Sequence, residues 1–72
     1  MMSVEAMAKT AENLAKKTDE VERQKREVSR AEQYLKQHAT DVASLDLQQK
    51  AQKLAQLEHE RDALERDFNK LK

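Results

Sequence analysis

His38-Ala39-Thr40-Asp41-Val42-Ala43-Ser44-Leu45-Asp46-Leu47 is the stretch on which the reading of this chain turns. On either side of it the apolar residues repeat every seven positions, and the two repeats do not join. Upstream, with Val4 at position a, the a series is Val4, Ala11, Thr18, Lys25, Glu32 and Ala39. The d series is Met7, Leu14, Val21, Val28, Leu35 and Val42, all apolar. Downstream, a frame starting at Leu47 places Leu47, Leu54, Arg61 and Phe68 at a, and Lys50, Leu57, Leu64 and Leu71 at d. Val42 and Leu47 are five residues apart, where a regular d-to-a step is four, so one residue is inserted between them. Leu45 fits neither frame.

Two structures accommodate such an insertion. A continuous helix can relax its supercoil locally, or the chain can fold back near residues 38–46 as a helical hairpin. A reversal usually draws on Gly, Pro or Asn, and His38 through Ser44 contain none. The pattern therefore predicts an all-α chain, one long helix of about 108 Å at 1.5 Å per residue, in a parallel, two-stranded, left-handed coiled coil. The divisions that follow are a disordered start at 1–3, a first coiled-coil segment at 4–43, a heptad break at 44–46 and a second segment at 47–72.

Composition supports this. Lys and Arg number 14, Asp and Glu also 14, and Gly, Pro and Cys are absent from the 72 residues. Disorder usually brings net charge with Pro and Gly, whereas this chain is built largely from Ala, Leu, Gln, Glu, Lys and Arg, the strong helix formers. A chain this short seldom buries a sufficient core alone. Without Cys, disulfides and thiolate metal sites drop out, which leaves oligomerisation as the usual support. Balanced charge argues against a general nucleic-acid binder. No apolar run reaches the ~20 residues of a bilayer span, and the N-terminus lacks the apolar stretch of a secretory signal. These absences lean towards a cytoplasmic setting, with nuclear or cytoskeletal ones also open.

Both ends carry helix signals. Ser3 is an N-cap candidate with Glu5 in the first turn, and Lys70 and Lys72 suit the C-terminal dipole. Acid-before-base pairs at i, i+4 recur, among them Glu12–Lys16 and Asp46–Lys50, each contributing ~0.2–0.5 kcal/mol. Charged residues also stand at seam positions. Lys25, Lys50 and Arg61 are read as stems lying along the seam with heads in water. Glu32 is shorter, and together with Lys25 it leaves only Val28 in the seam from Glu22 to Gln33, so that stretch is expected to be the weakest. The densest seam is Leu54, Leu57, Leu64, Phe68 and Leu71. Arg61, a lone Arg among apolar layers, resembles the central ionic layer of the membrane-fusion SNARE helices. The chain departs from that family at Lys50 and at the frame change, and no membrane anchor follows Arg61.

His38 and His59 lie 21 residues apart, too far along one helix to share a metal. Tyr34 falls at c, on the outside. No Gly-rich phosphate loop or Cys nucleophile is present, and acidic residues follow solvent faces, where nothing desolvates a general acid. No enzymatic activity, cofactor or small-molecule substrate is expected. The expected function is that of a structural assembly segment, resembling the rods of cytoskeletal, tethering and chromosome-segregation proteins. The partner would be a second copy or another coiled-coil helix. A binding helix that folds on docking into a heterologous bundle or groove is the alternative. For a parallel homodimer, g–e pairs such as Lys17–Glu22 and Lys53–Glu58 attract, but Lys25, Glu32 and Arg61 each stack on themselves.

Overall fold

A computed structural model describes residues 3–70. It contains two helices, α1 (Val4–Gln37) and α2 (Asp41–Lys70), joined by His38, Ala39 and Thr40. The all-α expectation holds; the single continuous helix does not. The chain reverses at residues 38–40, and the molecule measures 54 × 14 × 13 Å, about half the length of the rod foreseen from sequence.

Capping explains how the reversal forms without glycine. At the end of α1 the His38 N–H donates to the Tyr34 carbonyl at 2.8 Å, and Lys36 stands in the last turn, where a cation suits the macrodipole. Two residues later Thr40 begins the next helix. Its Oγ1 accepts from the Ala43 N–H at 3.1 Å, its carbonyl accepts from the Ser44 N–H, and Asp41 follows in the first turn. Among the described residues no backbone angle lies in the left-handed region, so the turn needs none of the residues whose absence argued against it. The start of α1 agrees with expectation: the Ser3 Oγ accepts from the Ala6 N–H at 3.1 Å, with Glu5 in the first turn.

The helices run antiparallel, which two contacts between residues far apart in sequence fix. Gln24 Nε2 donates to the Lys50 carbonyl at 3.0 Å, and Lys17 Nζ to Glu60 Oε2 at 2.9 Å. Stepping seven residues along each helix from the first contact sets Ala31 level with Ala43. Both are buried, and two small side chains at one level let the backbones approach near the turn. Val21, with no exposed surface, and Leu57 complete the buried apolar set among the described residues.

Candidate functional site

The extended feature among the described residues is the seam between the two helices. In α1, Val21 at d is buried and the other d residues Met7, Leu14, Val28 and Leu35 are half-buried, as are Ala11 and Thr18 at a. Beyond Val21 the inner row shifts by one position. Lys25 and Glu32 are exposed, and Gln24 and Ala31, one residue earlier, are buried in their place. A core-facing helix stripe is wider than a strict a/d row and takes in a flanking position. That width lets α1 keep its charges in water while filling the seam, so the Glu22–Gln33 stretch foreseen as weak holds two of the buried residues. Val4 is 82% exposed at the open end, and Ala39 is exposed in the turn.

In α2, Leu47, Lys50, Leu54, Arg61, Leu64 and Phe68 are half-buried and Leu57 is buried. Leu71 and Lys72 lie outside the described residues. Ala43 stands four residues before Leu47 and extends the second frame backwards. Val42, assigned to the first frame, is 78% exposed. The helix change falls at 38–40, ahead of the 44–46 break read from the sequence, which lies inside α2; with Ala43 counted in the second frame, the extra residue falls where the chain turns.

Gln24 is the buried polar residue that the heptad count missed, because it stands at g rather than a. Its hydrogen bond to a backbone carbonyl in mid-helix satisfies it, and no buried side-chain nitrogen or oxygen among the described residues lacks a partner. A single satisfied polar group in a helical seam fixes register. The second cross-link is electrostatic. The Glu60 carboxylate holds Lys17 charged, raising its pKa through their hydrogen bond, with Glu20 adding attraction at 3.6 Å. Reciprocally, the Lys17 hydrogen bond lowers the pKa of Glu60. Lys17, counted above as facing Glu22 of a second chain, is thus engaged by Glu60 of its own.

Other charges behave as solvated pairs along single helices. Glu12–Lys16 close at 3.1 Å, Asp46–Lys50 at 2.8 Å and Glu22–Lys25 at 3.5 Å. The hydrogen bond to Asp46 raises the pKa of Lys50. Arg61 turns to its neighbour Asp62 at 3.2 Å. Lys25, Lys50 and Arg61 therefore keep their charged ends with local acids rather than in the seam.

Near the turn, Tyr34 stacks on His38 with ring centroids 4.7 Å apart. Tyr34, Val42 and Leu45 are 57%, 78% and 54% exposed, and all three stand on helix ends next to the turn. Among the described residues no cluster of three or more His, Asp or Glu could hold a metal, and no helix is long and apolar enough to cross a membrane. No protein-family model, curated protein or solved structure matches the chain.

Proposed function

We propose that the chain is a structural assembly module: an antiparallel coiled-coil hairpin that associates through its helices, first with further copies of itself. The observation that carries this reading is the incomplete closure of the seam. Met7, Leu14, Val28, Leu35, Leu47, Leu54, Leu64 and Phe68 are partly covered, and none of them is buried. Two helices enclose only a small core between them, and a chain of this size ordinarily gains its remaining stability by association. Rod segments of cytoskeletal, tethering and chromosome-segregation proteins associate by the same kind of packing.

The small core also favours a second reading, in which the chain gains its helices only when a heterologous helical groove completes the seam. Sedimentation equilibrium combined with circular dichroism over a range of concentrations separates the two. An assembly module is helical at micromolar concentration and its mass rises with concentration. A chain that is monomeric and unfolded alone fits the docking reading, and a fully helical monomer at every concentration sinks the self-association proposed here.

A further inference from the structure

The tip of the hairpin combines two features that bear on how copies of the chain meet. The first is its connection. His38, Ala39 and Thr40 are exposed, and the hydrogen bonds they make are local: His38 to Tyr34, Thr40 to His38, and Ala43 and Ser44 to Thr40. The contacts that hold α1 to α2 are made elsewhere, by Lys17 with Glu60, Gln24 with Lys50, and the apolar seam. None of these turn hydrogen bonds joins a residue of α1 to a residue of α2. The backbone there has no left-handed residue. The second feature is the exposed apolar group. Of the large apolar side chains left exposed among the described residues, Tyr34, Val42 and Leu45 flank this turn, while Val4 lies at the far end.

We propose that the hairpin opens at residues 38–40 and exchanges α2 with a second copy of this chain. Each α1 then packs on the partner copy's α2, with Lys17 bound to Glu60 and Gln24 to Lys50 as before but between chains. Exchange of an identical element reuses the contacts between α1 and α2, so it forms a dimer at low cost, and a connection of only three residues is one whose lengthening would favour the closed form. The two tips meet at the two-fold axis, where Tyr34, Val42 and Leu45 of one copy lie against those of the other. Two separate closed hairpins leave these side chains in water, so their mutual cover favours the exchanged dimer. The three hinge residues need not become helical, so they absorb the one-residue offset between the two heptad frames.

This inference rests on the assembly reading, and the experiment separates the two. Isotopically light and heavy chains are mixed in equal amounts, unfolded together and refolded at high concentration. The dimer is isolated and treated with a zero-length carbodiimide, which joins an amine to a carboxylate already in contact. Lys17 and Glu60 at 2.9 Å are such a pair. Exchange gives Lys17–Glu60 cross-linked peptides of which about half join a light to a heavy segment, as random pairing of two-fold dimers requires. A dimer whose Lys17–Glu60 cross-links are all light–light or heavy–heavy overturns the exchange and leaves the assembly reading standing. A chain that stays monomeric overturns both. A Gly-Ser-Gly-Ser insertion after Ala39 gives the second measurement. Exchange requires the longer hinge to shift the chain towards closed monomer, and an unchanged dimer fraction overturns it.

Discussion

Val21 and Val42 hold the same heptad position in the first frame, d, yet the hairpin treats them oppositely. Val21 has no exposed surface and Val42 is 78% exposed. Replacing each by Ala therefore measures whether the chain folds back. Val21→Ala removes two buried methyl groups, about 0.8 kcal/mol each in transfer alone. Incomplete collapse around the gap raises the loss to roughly 2–3 kcal/mol, and the better helix propensity of Ala returns about 0.5 kcal/mol. The net is a destabilisation of roughly 2 kcal/mol. At about 4–8 °C per kcal/mol for a domain of this size, the melting midpoint should fall by roughly 10–15 °C. Val42→Ala loses no burial and keeps the propensity gain, so its midpoint should stay unchanged or rise by a few degrees. Thermal melts followed by far-ultraviolet circular dichroism, with both variants at one concentration, give the answer. A continuous first-frame seam would bury Val42 as it buries Val21, and comparable falls for the two variants would refute the fold-back.

Further outcomes follow from the cross-links and the cap. Gln24→Leu removes a hydrogen bond contributing about 0.5–1.5 kcal/mol and adds a buried side chain of about 1.5–3 kcal/mol, so stability should hold or rise. Since the register device is gone, mixed oligomers should appear in sedimentation, and a single unchanged species would show that Gln24 does not set register. Thr40→Ala removes the cap of α2, and a loss of roughly 1 kcal/mol is expected in chemical denaturation; no loss would mean that the cap does not hold the turn. For the Lys17–Glu60 pair the pH dependence has a definite sign. The pKa of Glu60 is lowered below its ordinary 4.5, so its contribution is full above that value and fades as pH falls through the folded-state pKa. The pKa of Lys17 is raised above 10.5, so its contribution is full below that value and fades as pH rises through the folded-state pKa. Glu60→Gln should therefore flatten the acid limb of the stability profile of the intact chain, and an unaltered limb would remove the pair from the account.

The helical content and the Ser3 cap were legible because each is a local or periodic property. The break in the repeat was legible too, although 44–46 lies within α2 and the chain turns earlier, at 38–40. The choice between relaxing through the break and reversing was not. The turn uses Thr40 as an N-cap followed by Asp41, a signal present in the sequence but outweighed by the lack of Gly, Pro and Asn. Gln24 and Ala31 escaped because a strict a/d count assigns those layers to Lys25 and Glu32; only the facing helix decides which flank of the stripe is used. Lys17–Glu60, 43 residues apart, follows from the antiparallel direction, which no local pattern encodes.

The antiparallel arrangement also determines how the molecule responds to load. Val4 and Lys70 belong to the same end of the hairpin, opposite the turn, since α1 runs towards the turn and α2 away from it. Tension applied at those two residues pulls across the helix axes rather than along them. It therefore bears on one layer at a time, first around Met7 and Phe68, then Lys17 and Glu60, and last Ala31 and Ala43 beside the turn. Layers broken in succession give way at low force, as a peeled seam does, whereas a rod pulled along its axis engages all its layers together. On release, Ala31 and Ala43 are the first to re-form, because the turn holds them closest and the loop to be closed is shortest there. The hairpin would thus extend and recover in small steps, a compliant element where a single helix of the same sequence would be a strut.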